Sequence, residues 1–125
     1  MTCEEWERAL PESVKGDAVW QFFAYRKALF LFDLAWEDCG RLIVDPRGRA
    51  VATQMIDSVG SISANIEEGH GRGPGKDRNH FLRISAGSAR ETKGWLSGPA
   101  TFCRRRRSSI AWRSSTRQSR CCSPS

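Results

Sequence analysis

The hydrophobic residues between positions 17 and 43 recur every three or four positions, which is the spacing of one face of an α-helix. Steps of three and four alternate through seven of them: Phe22, Tyr25, Leu29, Phe32, Trp36, Cys39 and Ile43. A second group widens this face: Phe23, Phe30, Leu31 and Leu34. Because the combined face is wider than one partner helix covers, the pattern predicts a helix over 17–43 that belongs to a bundle.

A second amphipathic helix is predicted over 46–68. Asp45 is a suitable N-cap, and Pro46 suits the first helical position because its missing N–H costs no hydrogen bond there. The apolar series again alternates steps of three and four: Ala52, Met55, Val59, Ile62 and Ile66. Gly69 follows this series, so we expect it to end the helix in a left-handed C-cap.

A third helix is predicted over 77–97, where small residues at 85–89 lie between apolar ones. Its apolar residues are Phe81, Leu82, Ile84, Trp95 and Leu96. The second helix has a matching patch of small residues: Gly60, Ser61, Ser63 and Ala64. Glycine inside a helix costs about 1 kcal/mol relative to alanine, so the two patches predict that these backbones approach each other closely.

The chain divides into three segments. Residues 1–16 form an N-terminal extension in which Thr2 and Glu5 match the capping box of a short helix. Residues 17–97 form the helical bundle domain, and residues 98–125 form a tail rich in Arg, Ser and Cys. A chain of 125 residues is long enough for one such domain.

The formal net charge of +6 is not spread evenly along the chain. Residues 1–98 contain 13 Lys and Arg against 14 Asp and Glu, whereas residues 99–125 contain seven Arg and no acid. The first segment therefore has a net charge of −1 and the second +7, which together give the +6. The basic pI of about 9.5 is a property of the tail.

Cysteine usage and hydropathy predict a cytoplasmic protein with reduced thiols. The five cysteines are an odd number without a C-x-x-C pair, which indicates neither a disulfide framework nor a zinc site. No apolar run approaches the roughly 20 residues that span a bilayer, so no membrane contact is expected. The N-terminal residues are acidic, whereas a signal peptide begins with basic residues.

Four glycines alternate with other residues between the second and third helices, at positions 69, 71, 73 and 75. The P-loop motif is absent, because Asp77 follows Lys76 and because a helix precedes the glycines. The dinucleotide-binding G-x-G-x-x-G also fails, since no glycine stands at its third position. We therefore interpret the glycines as a tight helix connection with positive φ angles.

The same connection leaves two functional alternatives open. In one, Arg72, Lys76 and Arg78 hold one phosphate of a nucleic acid beside the N-terminus of the third helix. In the other, the loop 69–76 belongs to a small enzyme or an anion-binding module that uses Arg72, Lys76 and His70.

No catalytic residue, cofactor site or metal site is predicted. His70 and His80 are the only histidines, and neither has a second ligand four residues away on its helix. Glu67 and Glu68 are adjacent, so their side chains diverge by about 100° and cannot act as a facing acid–base pair. Asn65 and Glu68 are interpreted as structural residues that cap the backbone of a neighbouring segment. These features predict a protein that is not an enzyme.

The run from position 54 to 96 resembles the four helix bundle protein family, first noticed in reading frames inserted within large-subunit ribosomal RNA genes. The matching residues are Ser61, Ile62, Ala64, Asn65, Ile66, Glu68, Gly69, Arg72, Phe81, Leu82, Gly87 and Ser88. The resemblance implies an all-α, antiparallel up-and-down four-helix bundle that assembles as a homo-oligomer, a pentamer in known relatives. It implies no enzymatic activity and no cofactor.

The family also includes a distant branch, the accessory variability determinant of diversity-generating retroelements. That branch binds a reverse transcriptase and nucleic acid. The resemblance therefore implies a non-enzymatic scaffold or adaptor whose partner is RNA, DNA or a reverse transcriptase.

The tail departs from this family, whose members continue with a leucine-rich fourth helix. Residues 98–125 have no apolar periodicity, which is typical of a disordered basic arm. A shift of the reading frame by one nucleotide near Ser97 would instead convert the Cys and Trp codons into codons for Leu, Met or Val. We favour this frameshift interpretation. It predicts that the fourth helix is lost and that the uncovered core promotes association.

Overall fold

The computed structural model describes residues 1–98, which form five α-helices and one short 3-10 helix. The helices are α1 (Cys3–Ala9), α2 (Glu12–Lys15), the 3-10 helix Ala18–Gln21, α3 (Phe23–Leu42), α4 (Pro46–Gly71) and α5 (Lys76–Leu96). This part of the chain contains no β-strand, so the predicted all-α class is confirmed. The predicted loss of a fourth helix and the frameshift concern residues outside the described range.

The three long helices run antiparallel in chain order, with α4 between α3 and α5. The Cys39 thiol meets the carbonyl of Ala52 at 3.6 Å, and farther from the turn the Tyr25 hydroxyl meets Glu67. These partners lie at similar distances on either side of the α3–α4 turn, as an antiparallel helix pair requires. The most extensive contacts of the described residues join α4 to α5 and α4 to α3.

The long helix α3 begins at Phe23, six residues later than the predicted start at position 17. Asp17 is the reason, because its side chain accepts a hydrogen bond from the Val19 amide at 3.1 Å and caps the 3-10 helix. Val19 and Trp20 are buried, so this turn contributes to the core. The prediction of a continuous helix from position 17 is wrong for this local reason.

The side of α3 that faces the core differs from the predicted series. Its buried residues are Tyr25, Ala28, Ala35 and Cys39. The two alanines are small enough to bring α3 close to α4, whereas Trp36 is 68% exposed and Ile43 is 53% exposed. Trp36 and Ile43 belong to the predicted apolar series, but they lie outside the side of α3 that the two alanines place in the core.

The N-terminal extension is joined to α3 through Trp6. The predicted capping box is confirmed, since the Glu5 amide donates to the Thr2 hydroxyl at 3.2 Å and the Thr2 amide donates to Glu5 at 2.7 Å. The Trp6 indole N–H donates to Asp33 Oδ2 at 2.6 Å, and its ring lies 5.4 Å from that of Phe30. The extension therefore covers part of the wide apolar face of α3.

The central helix α4 begins as predicted, because the Asp45 side chain accepts a hydrogen bond from the Arg47 amide at 2.8 Å and Pro46 is the first helical residue. Its predicted apolar series is buried throughout: Ala52, Met55, Val59, Ile62 and Ile66. Met55 and Val59 are among the most completely buried side chains. This series forms the centre of the fold between α3 and α5.

The end of α4 does not follow the prediction for Gly69. The helix continues through Gly71, and Arg72 is its C-cap with φ −77°. Gly69 is buried inside the helix, where an added Cβ would lie 3.2 Å from Phe81 Cβ and 3.3 Å from the Arg78 carbonyl oxygen. Glycine is favoured there because α5 passes close to the backbone of α4.

Hydrogen bonds show that α4 and α5 approach each other closely, as predicted. The glycines of the two predicted patches do not form this contact, because Gly60 faces Phe32 of α3 and Gly87 is exposed. The Ser85 hydroxyl donates to the carbonyl oxygen of Ile62 at 2.9 Å. Farther along, Thr92 Oγ1 lies 3.0 Å from Ser58 Oγ, and both side chains are buried. Small hydroxyl side chains therefore occupy the contact and also satisfy their own polar groups.

Candidate functional site

The connection between α4 and α5 contains the cations that the sequence singled out. Two of its glycines have positive φ, 77° at Gly73 and 129° at Gly75, whereas Gly69 and Gly71 are helical. The positive φ angles predicted for this connection are therefore found at two glycines of the four. They form a short turn from which α5 starts at Lys76.

Two of the three loop cations have partners within the protein. Arg72 Nε donates to Glu68 Oε1 at 2.9 Å, and the Arg72 guanidinium lies 5.4 Å from the centre of the Phe81 ring. Arg78 is half-buried, and its Nε donates to the Gly69 carbonyl at 3.4 Å. Lys76 is exposed at the first position of α5. The contacts hold the two arginines against the helix ends.

The polar residues of the α4 motif form hydrogen bonds within their own helix. Asn65 Nδ2 donates to the Ser61 carbonyl at 2.7 Å, and Glu68 pairs with Arg72 one turn later. The expectation that Asn65 and Glu68 cap a neighbouring segment is wrong, since each side chain bonds a group four residues away in the same segment. The side chain that bonds a neighbouring helix is Ser85, whose hydroxyl donates to the Ile62 carbonyl of α4. The sequence indicated Ser85 only as one of the small residues at 85–89.

The other family-motif residues include both buried and exposed positions. Ile62 and Ile66 are buried against the core, whereas Ala64 is exposed. The Ser88 carbonyl accepts a hydrogen bond from the Thr92 hydroxyl at 2.9 Å. Gly87 is exposed, and an added Cβ would meet no atom within 4 Å. The motif therefore combines core positions with solvent-facing ones.

A polar contact that the sequence did not predict joins α3 to α4 near this end. The Tyr25 hydroxyl donates to Glu67 Oε1. Burial, then the hydrogen bond to Glu67, and then the negative charges of Glu67 and Asp17 raise the pKa of Tyr25 well above its usual value of 10.0. The phenol is therefore a stable hydrogen-bond donor. Tyr25 and Glu67 lie at similar distances in sequence from the turn at Val44 and Asp45. An antiparallel pairing of the two predicted helices would therefore have brought them together.

His70 lies one turn beyond Glu67, and its ring is 5.6 Å from that of Phe22. Its Nδ1 atom is buried and has no hydrogen-bond partner. This packing places the imidazole against an aromatic ring at the base of α3. The described contacts include no nucleophile that His70 would activate.

The cysteine of α3 is suited to packing. Cys39 is buried, and burial followed by the charge of Asp38 raises the pKa of its thiol. Its thiol lies 3.6 Å from the Ala52 carbonyl, at the contact with α4. Residues 1–98 contain no group of three side chains placed to hold a metal ion.

The exposed surface of the described residues is divided by charge and by polarity. Residues 1–68 contain seven Lys and Arg against 12 Asp and Glu, whereas residues 69–98 contain six against two. The segment that includes α5 is thus basic, and the segment before it is acidic. Most of the exposed large apolar side chains belong instead to α3 and the turn after it: Phe23, Leu34, Trp36, Ile43 and Val44.

These features define the class: an antiparallel helical bundle whose central helix is packed through small residues, with its charged and apolar groups on different helices. The family model of the 23S rRNA-intervening sequence protein matches residues 25–100, and the chain belongs to this family. The resemblance drawn from the α4 motif is therefore confirmed. Searches of curated proteins and of solved structures returned no match. None of the helices within residues 1–98 has the length and apolar content that crossing a membrane requires.

Proposed function

We propose that this protein is a non-enzymatic helical scaffold that associates with copies of itself and serves as an adaptor for nucleic acid or a nucleic-acid enzyme. The observation that carries the proposal is the apolar surface of α3 and of the turn that follows it. Phe23 is 60% exposed, Trp36 68% and Val44 82%. Large apolar side chains concentrated on one helix favour association, because contact removes their surface from water.

The exposed apolar residues of α3 and its C-cap Ile43 lie on two sides of the helix. Trp36 and Ile43 are seven residues apart and share one side, and Phe23 and Leu34 are eleven residues apart and share another. Two apolar sides allow each copy to contact two neighbours. This is the requirement for a closed ring, and a pentamer is the form that the family resemblance favours.

The adaptor role is supported by the separation of charge. The basic segment that contains α5 attracts polyanions, whereas the acidic segment before it repels them. A protein with this charge distribution turns its basic segment, and not its acidic one, toward a bound nucleic acid. The described residues add no arrangement of nucleophile, base and orienting group that would support an enzymatic role.

The alternative, an anion-binding module or small enzyme at loop 69–76, is weakened by the ion pair between Arg72 and Glu68. Replacing Arg72, Lys76 and His70 together by Gln separates the two. Under the scaffold proposal, we expect this variant to form an assembly of unchanged mass. We also expect it to bind inorganic phosphate no more weakly than the unmodified chain does. Loss of a measured phosphate signal with an intact assembly would favour the alternative.

Sedimentation and light scattering of the full chain test self-association directly. We expect an oligomer at micromolar concentration, and Trp36→Ser with Ile43→Ser to shift it toward monomer. Ile84→Ser on α5 is the matched control, because Ile84 is also an exposed apolar side chain, at 40% exposure. A clean monomer of the unmodified chain at micromolar concentration would contradict the proposal.

A further inference from the structure

We propose that the outward side of α5 is a binding surface for the phosphodiester backbone of double-stranded nucleic acid. This inference rests on the nucleic-acid role proposed above and assigns it to a specific surface. The surface is a row of cations and glycines, here named the basic stripe: Lys76, His80, Arg83, Gly87, Arg90 and Gly94.

The basic stripe occupies one side of a continuous helix. Its six residues follow each other in steps of four and three, and all six are exposed. The buried residues of α5, Ser85 and Thr92, lie on the opposite side against α4. The stripe therefore points away from the rest of the described fold.

The cations of the stripe are available to a ligand. The ion pairs found within residues 1–98 use Lys15, Arg26, Arg47 and Arg72, and none uses Lys76, Arg83 or Arg90. Lys93 is also exposed beside the stripe and is likewise absent from these ion pairs. A partner that supplies phosphates would therefore not have to break an internal pair.

Glycines separate the cations at the middle and end of the stripe. An added Cβ would meet no atom within 4 Å at Gly87 or at Gly94. The packing of residues 1–98 therefore does not explain why the two positions lack a side chain. Between Arg83 and Arg90, a missing side chain lets a bulky ligand backbone approach the helix while both guanidinium groups reach around it.

The spacing of the stripe favours a duplex. Cations seven residues apart are separated by about 10 Å along the helix, and Lys76 and Arg90 by about 21 Å. A duplex carries one charge per roughly 1.7 Å of its axis, counting both strands, so a row about 21 Å long lies beside several phosphates. The stripe contains no Phe, Tyr or Trp on which the bases of a single strand would stack.

The surroundings of the stripe do not suit a lipid surface. A helix that binds membranes presents its apolar side to the acyl chains beside a row of cations. On α5, Leu82, Trp95 and Leu96 instead pack against the core, and Ile84 is the only large apolar side chain of this helix that is exposed. Contacts of the stripe are therefore electrostatic and independent of base sequence.

Binding of a short labelled RNA duplex and of a DNA duplex of the same length to the full chain tests the inference by fluorescence anisotropy over a series of salt concentrations. The test variant is Arg83→Gln with Arg90→Gln. Its matched control is Arg41→Gln with Arg49→Gln, because Arg41 and Arg49 are exposed and their loss changes the net charge equally. Circular dichroism checks that each variant remains helical.

The expected result is a weaker and less salt-dependent complex for the stripe variant only. Removing two phosphate contacts lowers the slope of log K against log salt by about 2 and raises Kd by at least about tenfold near physiological salt. A shape-based effect is expected too. Gly87→Leu keeps every charge and should weaken binding, whereas Gly40→Leu, at another exposed helical glycine with no atom within 4 Å, should not.

Three results would overturn the inference, and they differ from one another. Equal losses in the stripe variant and its control would show that the binding is not localised to α5. Loss only on replacing Arg104 to Arg107 by Gln would assign the duplex to the tail. A stripe variant that binds duplex normally but sediments as a smaller assembly would assign the stripe to a second copy of the chain. No binding by the unmodified chain would contradict the proposed nucleic-acid role itself.

Discussion

Replacing Gly69 with alanine is expected to destabilise the bundle, whereas the same substitution at Gly87 is expected to stabilise it. Both glycines lie within helices, and both belong to the motif that identifies the family. Alanine is favoured over glycine in a helix interior by about 1 kcal/mol, and this gain applies to either position. The two substitutions differ in what the new methyl group meets.

At Gly69 the methyl group meets the neighbouring helix. Its carbon would lie 3.2 Å from Phe81 Cβ and 3.3 Å from the Arg78 carbonyl oxygen, and both atoms are held by the α5 backbone. Moving α5 outward also strains the bond from Arg78 Nε to the Gly69 carbonyl. Overpacking of this kind costs about 1–3 kcal/mol, and its central value of about 2 kcal/mol less the helix gain of about 1 kcal/mol leaves a net loss of about 1 kcal/mol.

At Gly87 the methyl group points into open space, because no atom lies within 4 Å. The full helix gain of about 1 kcal/mol is then expected. The two variants should therefore differ by about 2 kcal/mol, which corresponds to roughly 10 °C in Tm for a domain of this size.

Thermal and urea denaturation, followed by circular dichroism at one protein concentration, measure this difference. Gly40→Ala is the control, since Gly40 is also exposed inside a helix with no atom within 4 Å, and it should behave like Gly87→Ala. If Gly69→Ala has the same Tm as Gly87→Ala, then α5 does not pass close enough to Gly69 to exclude a methyl group. That result would contradict the close packing of α4 and α5 at this position.

Three further predictions concern Tyr25, the thiols and the tail. Because the folded state raises the pKa of Tyr25 above its usual 10.0, stability should fall as pH rises above about 10, and denaturation of Tyr25→Phe should show a smaller fall; equal falls would contradict it. Alkylation with mass mapping should label Cys3 before the buried Cys39, and the reverse order would contradict the packing. Deleting everything after Ser97 should leave helicity and Tm nearly unchanged, whereas restoring the shifted frame should raise both; a large fall in Tm on deletion would make the tail structural.

The sequence by itself determined the features that depend on near neighbours. Asp45 and Thr2 cap helices through groups two or three residues away, so their residue types suffice to predict the helix starts. The apolar series of α4 was also readable, because a helix enclosed by two partners must bury its whole stripe. The membership of the family followed from the same segment, since its motif lies within α4, α5 and their connection.

Only the tertiary structure decided which side of α3 faces the core. The apolar residues surround much of α3, so their spacing leaves several orientations equally plausible. Ala28 and Ala35 are buried in one cluster with Val59, Ile62 and Ile66 of α4, whereas Trp36 is exposed. A hydropathy pattern favours large apolar residues as core candidates. Close packing of two helices instead favours small residues at the contact.

The roles of the glycines and the polar partners were likewise decided by distant segments. Gly69 was expected to be a cap because its neighbours in sequence end an apolar series, but it is set by Phe81 on the next helix. Tyr25 and Glu67 are far apart in the chain and meet because α3 and α4 are antiparallel. A glycine that contacts another helix and one that faces solvent are identical in sequence, so only the arrangement of the helices distinguishes Gly69 from Gly87.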